Sequence, residues 1–148
     1  WYYSNGAIYH VTDGLVPADA LLTRDMLISI LYNLDSASTG KPESWAIDHS
    51  IVPDVYESLL WGVDKPVSRE QAVVILFSYA QYKNYSTFER ADLTGYADYG
   101  LIRPIARPAM SWARAAGLIA GTSAGTLSPR NNLTCGQASI ILSRFTGK

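Results

Sequence analysis

The sequence lacks several features on which common functions depend. It has one cysteine, Cys135, which excludes an internal disulfide and a metal site built from cysteines. Its 12 basic and 13 acidic side chains give a formal net charge of -1, so no overall positive field exists to attract nucleic acid. No apolar run approaches the roughly 20 residues of a membrane-spanning helix, and we expect no membrane insertion. No signal peptide is visible and the first residue is Trp1 rather than Met, which fits a trimmed or mature fragment and says nothing about export.

Recognisable catalytic arrangements are also lacking. His10 and His49 have no serine or cysteine partner in a known pattern. Residues 121–126 lack the lysine of a phosphate-binding loop and do not follow a strand. The acidic side chains are scattered, so no cluster suggests a metal site or a pair of glycosidase carboxylates. We therefore expect no catalytic residues, no metal, no cofactor and no enzymatic activity, and we expect Cys135 to fill apolar space rather than to react.

One pattern occurs three times: a hydroxyl residue followed by an apolar stretch of helical period. The hydroxyl residues are Thr23, Ser68 and Thr134, and each can cap a helix through its side-chain oxygen. Gln71 and Gln137 stand three positions after their caps, which is the spacing of a capping box. The pattern predicts three amphipathic helices, each beginning directly after its capping residue.

A second, less regular helix is expected before each of these three. The predicted spans are 1–10, 45–49 and 108–116. The last one ends at Gly117, a residue type favoured just after a helix. We interpret residues 1–148 as a single module. Its divisions are repeat one at 1–40, repeat two at 41–85, an ordered linker at 86–95 and repeat three at 96–148.

Repeat three resembles a known family, the S-layer homology (SLH) repeat. Its matching motifs, in order, are Tyr-Ala-Asp at 96–98, Ser-Trp-Ala at 111–113, Gly-Leu-Ile-Ala-Gly at 117–121, Gly-Thr-Leu-Ser-Pro at 125–129 and the helix start at Thr134. Shorter matches recur in the first two repeats, at 14–15, 22–24, 50–52 and 67–71. Three such matches in the family's order are more specific than any one of them.

The resemblance implies a fold and a function. The implied fold is all-α, a pseudo-threefold, three-pronged trimer of repeats with a central bundle of the repeats' second helices. The implied function is non-covalent anchoring at the cell surface, through an anionic, often pyruvylated secondary cell wall polysaccharide bound in grooves between repeats. The implied location is the cell wall or cell surface of a Gram-positive-type bacterium, and other domains of a larger surface protein are further implied partners.

The resemblance also implies ligand-binding residues. An arginine after the capping residue is a ligand position in the family, and here it corresponds to Arg24 and Arg69. Independently of the family, a guanidinium beside the free N–H groups of a helix start suits a carboxylate, because it can donate paired hydrogen bonds. Aromatic faces can pack against the sugar ring. The predicted set is Arg24, Arg69, Trp1, Trp112, Gly121 and Gly125.

Departures from the family pattern leave alternatives open. Cys135 stands where the third arginine belongs, and repeat one has 10 residues from 14 to 23 where repeat three has 18 from 117 to 134. Residues 53–61 replace the glycine-bearing turn of repeat two. The two arginines can instead pair with neighbouring carboxylates, and Trp112, Trp45 and Trp61 can instead be core residues. The alternative function is a degenerate module reused as a structural or protein-interaction domain, with an exposed aromatic patch at Trp61, Tyr56 and Tyr85.

Overall fold

The structure, a computed structural model, describes residues 1–52, 64–122 and 124–147. Helices make up most of its regular structure, as the sequence predicts. The helices of the described ranges are α1 Arg24–Leu34, α2 Pro42–Asp48, α3 Arg69–Tyr82, α4 Arg107–Ala115 and α5 Cys135–Thr146. Two 3-10 turns, Tyr99–Leu101 and Pro104–Ala106, precede α4. The predicted helices at 45–49 and 108–116 correspond to α2 and α4.

The N-terminal segment is a small antiparallel sheet, so the prediction of a helix over residues 1–10, and with it an all-α fold, is wrong. The strands are β1 Tyr2–Ser4, β2 Ala7–His10 and β3 Gly14–Leu15, in the order β1-β2-β3. Asn5 and Gly6 connect the first two strands with φ angles of 50° and 82°. Asn-Gly is a strong hairpin signal because both residues tolerate positive φ, and this local preference decides the conformation.

The capping pattern is confirmed at two helix starts. The Ser68 hydroxyl accepts the Gln71 N–H at 3.2 Å, and the Gln71 side chain accepts the Ser68 N–H at 2.9 Å. Thr134 and Gln137 form the same reciprocal pair at 3.2 and 3.0 Å. Thr23 occupies the capping position of α1, but its hydroxyl donates to Asp25 and caps no N–H group. Thr23 therefore precedes its helix as predicted but does not form the capping hydrogen bond.

A closed ring of backbone hydrogen bonds joins the residues that precede the three caps. The Leu22 N–H donates to the Leu133 carbonyl at 2.9 Å, the Leu133 N–H to Val67 at 3.0 Å, and the Val67 N–H to Leu22 at 3.0 Å. All three residues are buried. We call these three bonds the amide ring. They bring three distant stretches of the sequence to one point and fix where α1, α3 and α5 begin.

A second set of backbone bonds runs around the amide ring, with its donors in the opposite order. The first N–H of α1 donates to Lys65, that of α3 to Asn131, and that of α5 to Ala20, at 3.0, 2.9 and 2.7 Å. Each helix start is thus bonded to a loop that precedes a different helix start. We call the three contacts the first, second and third junctions, in the order of α1, α3 and α5.

Aromatic side chains connect the helices toward their C-terminal ends. The Tyr79 ring of α3 lies 6.0 Å from Phe145 of α5 and 6.3 Å from Trp45 of α2. The closest backbone packing pairs α3 with α4, α1 with α2 and β1, and α5 with β2. A central bundle of α1, α3 and α5, with three prongs, stays a prediction.

The Asp35 carboxylate joins three of these elements at the C-terminal end of α1. It is 2% exposed and accepts from the Tyr82 hydroxyl at 2.7 Å, the Lys83 ammonium at 3.0 Å and the Trp45 indole at 3.2 Å. Burial alone raises the pKa of a carboxyl group, but these donors stabilise its charged form and lower the Asp35 pKa to about 2. The buried charge is therefore satisfied within the fold.

Candidate functional site

Arg69 is the first residue of α3, at the second junction, where it faces the described loop residues 118–122 and 124–129. Its side chain is half-buried and donates from Nε to the Leu127 carbonyl at 2.9 Å and from Nη2 to the Ala120 carbonyl at 3.5 Å. The backbone bonds of Arg69 and Glu70, to Asn131 and Pro129, hold the same helix start against the loop. The guanidinium is consequently fixed in direction while part of it remains accessible.

Asp98 is the negative charge that acts on Arg69, and it does so without forming an ion pair. Asp98 accepts the N–H groups of Leu127 and Ser128 at 2.9 and 2.8 Å, which occupies its oxygens with the loop. Burial lowers the pKa of Arg69 and the nearby Asp98 charge raises it, but an arginine side chain stays protonated in water. Within the described ranges, two of its five N–H groups are bonded and no carboxylate lies within ion-pair distance. The remaining donors can bind an anion.

Gly121 and Gly125 shape the loop beside Arg69, and each is a glycine for a different reason. A Cβ atom at Gly121 would lie 2.5 Å from Cε1 of Tyr96, whose hydroxyl accepts from Arg114 at 2.9 Å. Gly125 has a φ of +74°, a conformation that side chains disfavour. The structure therefore brings Arg69, Gly121 and Gly125 of the predicted set into one region.

Two side chains that the sequence reasoning missed support this region. Glu70 is completely buried and accepts from the Arg103 backbone at 3.2 Å and the Arg103 guanidinium at 3.1 Å. Asp98 orders the loop as described above. The available signals were the acidic residue in the first turn of α3 and the aspartate of the Tyr-Ala-Asp motif.

A comparison with family models decides the family of this region. Residues 96–139 match the model of the S-layer homology domain. These residues belong to the S-layer homology family. The matched segment contains Asp98, Gly121 and Gly125, so it forms the loop side of the Arg69 junction. A comparison with curated proteins gives no match.

An SLH domain is in general a cell-wall anchoring module, not an enzyme, and indicates a protein associated with the cell surface. Across the parts of the chain that the structure describes, no helix has the length and apolar character needed to cross a membrane. The same parts hold no group of three or more potential metal ligands.

Arg24, at the first junction, differs from Arg69. Its side chain is 5% exposed and forms an ion pair with Glu43, near the start of α2. The alternative of pairing with a neighbouring carboxylate therefore describes Arg24 but not Arg69. The pairing was not predictable from a sequence separation of 19 residues.

The third junction has no arginine, and Cys135 there is 2% exposed. Burial raises the pKa of its thiol, so the reactive thiolate is disfavoured. This environment agrees with the expected role of Cys135 as an apolar filler at the helix start.

Trp112 and Trp1 contact α3 and α1 far along these helices from Arg69 and Arg24. Trp112 is 3% exposed, packs on Phe77 at 5.3 Å and donates to the Ser86 carbonyl. Phe77 is eight positions after Arg69, which corresponds to about 12 Å along a helix. Trp1 contacts His10 at 4.9 Å, and its carbonyl accepts from Asn33, nine positions after Arg24.

The alternatives for the remaining tryptophans have different outcomes. Trp45 is 2% exposed and is a core residue, as one of the two interpretations held. Trp61 and Tyr56, the centre of the suggested aromatic patch, lie outside the described residues, and Tyr85 is half-exposed.

Proposed function

We propose that residues 1–148 form one three-repeat SLH module that anchors a larger exported protein to the wall of a Gram-positive-type bacterium. The module binds an anionic, often pyruvylated secondary cell wall polysaccharide without a covalent bond. The proposal extends the SLH assignment from residues 96–139 to the whole chain, including repeats one and two and the linker at 86–95.

The amide ring supports three repeats. Positions 22, 67 and 133 make equivalent bonds, and each directly precedes a capping hydroxyl residue. The first N–H groups of α1, α3 and α5 are also equivalent in their bonds to neighbouring loops. This cyclic pattern is what a pseudo-threefold trimer of repeats requires.

The observation that carries the proposed binding is the state of Arg69. Its guanidinium is charged, partly accessible, held by two carbonyl groups and not paired with a carboxylate in the described ranges. The start of α3 adds the positive end of the helix dipole. A sugar carboxylate placed here gains paired, charge-assisted hydrogen bonds.

We assign the main ligand contact to Arg69, with Gly121 and Gly125 shaping the groove wall. Arg24 contributes less, because Glu43 neutralises it. We expect neither Trp112 nor Trp1 to stack on a sugar held at either arginine, because Trp112 contacts Phe77, eight positions after Arg69, and Trp1 contacts Asn33, nine positions after Arg24. One polysaccharide site per chain, at the second junction, is therefore expected.

Sedimentation with cell-wall sacculi tests the proposal. We expect Arg69→Gln to weaken co-sedimentation at least tenfold, since a lost charge-assisted pair is worth roughly 1.5–3 kcal/mol. Chemical removal of the polymer should abolish sedimentation of the unmodified chain. Arg130→Gln is the matched control, because Arg130 is exposed and bonds one carbonyl, that of Leu101. Equal sedimentation of Arg69→Gln and Arg130→Gln would refute the arginine mechanism.

The alternative function, a degenerate SLH module reused for structure or protein interaction, is favoured by the other two junctions. Arg24 is engaged by Glu43, and the third junction has Cys135 in place of an arginine. Calorimetric titration separates the two functions. Heat on adding a pyruvylated amino sugar, lost in Arg69→Gln, supports anchoring, whereas no detectable heat in the unmodified chain supports the alternative.

A further inference from the structure

A cavity of about 680 Å³ lies at the end of the molecule opposite to the helix starts. It is bordered by the C-terminal ends of α1, α3, α4 and α5 and by the turn after β1. Its volume falls within the roughly 300–1,000 Å³ of small-molecule sites. We call it the aromatic cavity, after its ring-bearing lining residues Tyr3, Tyr79, Tyr85, Trp112 and Phe145.

One basic side chain sets the charge of the described lining. Arg144 is the charged residue among the described lining residues, and no carboxylate is among them. Arg144 is exposed and makes one long hydrogen bond, 3.4 Å, to the Leu118 carbonyl. Burial raises the pKa of Tyr79, so this phenol stays neutral and does not repel an anion. The cavity combines aromatic walls with one available positive charge.

We propose that the aromatic cavity is a second binding site that takes a small aromatic anion, a compound with one or two aryl rings and one carboxylate or sulfonate. Edge-to-face and offset contacts with the wall rings would hold the aryl part. Arg144 would bind the anionic group.

The lining favours an aryl group over a sugar. A sugar carries several hydroxyl groups, and each one buried without a hydrogen-bond partner is costly. Apart from Arg144 and the hydroxyl groups of Tyr3, Tyr79 and Tyr85, the polar side chains of the lining are short: Ser4, Asn5, Ser86 and Thr146. The Thr146 hydroxyl already donates to the Leu142 carbonyl. An aryl ring needs none of these partners, and the wall rings offer it contact on several sides.

The fluorescent probe 8-anilinonaphthalene-1-sulfonate tests the site, because it has two aryl groups and one sulfonate. We expect saturable binding of one probe per chain, with energy transfer from the tryptophans. N-phenyl-1-naphthylamine has the same rings without the sulfonate. Arg144→Gln should weaken binding of the sulfonate probe roughly tenfold, the effect of about 1.4 kcal/mol, and leave the neutral probe unchanged.

A steric variant tests the location. Ala116 lines the cavity and is exposed, so Ala116→Trp should fill the space and abolish binding of both probes without unfolding the chain. Ala115→Trp is the matched control, because Ala115 is its exposed neighbour outside the lining. Circular dichroism confirms folding of each variant.

The proposal is overturned if the sulfonate probe does not bind, if Ala116→Trp binds it like Ala115→Trp, or if Arg144→Gln has no selective effect. It is independent of the wall-polymer site. Arg69→Gln should retain probe binding, and Arg144→Gln should retain sedimentation with sacculi.

Discussion

Asp35 carries a buried negative charge that three side chains from α2 and the end of α3 neutralise or bond. Its ordinary pKa of 3.8 applies to the unfolded chain, and its folded pKa is about 2. The unfolded state therefore binds the proton more tightly. The resulting stabilisation is complete above about pH 4 and is lost as the pH falls through about 2.

We expect acid to remove about 2 kcal/mol of the free energy of unfolding through Asp35 alone, from the difference between 3.8 and about 2. Urea unfolding at a series of pH values between about 2 and 6 measures this. Asp35→Asn should be less stable at neutral pH and should lose this part of the acid dependence. An unchanged slope in Asp35→Asn would show that other carboxylates cause the acid response.

Gly121→Ala and Gly125→Ala separate two reasons for a glycine. Gly121→Ala forces Tyr96 away and strains its bond with Arg114, so we expect a loss of about 1–3 kcal/mol. Gly125→Ala meets open space but retains a positive φ, and we expect a loss of about 1–2 kcal/mol. Adding Tyr96→Ala should lessen the cost at Gly121 and leave the cost at Gly125 unchanged. Thermal unfolding measures both, and equal effects of Tyr96→Ala at the two positions would contradict the steric cause.

At the scale of elements, the sequence predicted the helices that depend on interactions between neighbouring residues. Apolar period located α1, α3 and α5, and capping hydroxyl groups that act within the first turn added to the signal at α3 and α5. The N-terminal hairpin is also decided locally, by Asn5 and Gly6, and the prediction of a helix there is wrong. The ion pair of Arg24 with Glu43 and the buried place of Trp112 depend on tertiary packing, which one sequence does not encode in adjacent positions.

The two kinds of helix start should respond differently to loss of the hydroxyl. Thr134→Ala removes an oxygen that accepts the Gln137 N–H and should cost about 1 kcal/mol. Thr23→Ala removes no cap, so we expect a smaller loss. Chemical denaturation of both variants provides the comparison. A Thr23→Ala variant as destabilised as Thr134→Ala would mean that the α1 start depends on the Thr23–Asp25 bond instead.

At the scale of the whole molecule, the amide ring makes three distant segments of the chain depend on one another. The Leu22 N–H donates to the Leu133 carbonyl, and the Leu133 N–H donates to the Val67 carbonyl. Removal of residues 96–148 therefore leaves the Leu22 N–H and the Val67 carbonyl without their partners. The matched SLH segment is thus bonded through Leu133 to Leu22 and Val67. The three repeats stay a prediction from the sequence, and the bonds among these three segments required the structure.

We expect the fragments 1–95 and 96–148 each to lack a cooperative unfolding transition, because each loses ring bonds and core contacts. The intact chain should unfold in one transition. Circular dichroism during heating measures all three. A cooperative transition in isolated 96–148 would show that the SLH segment is an autonomous unit.

The amide ring consists of backbone N–H and carbonyl groups, and every residue type except proline has both. The side chains that follow it at positions 24, 69 and 135 are therefore free to diverge while the scaffold closes in the same way. The chain already carries a neutralised cation, an available cation and a buried thiol at these three places. The side chain at each of these positions can therefore be substituted separately, by design or by evolution, while the backbone bonds that join the three segments remain.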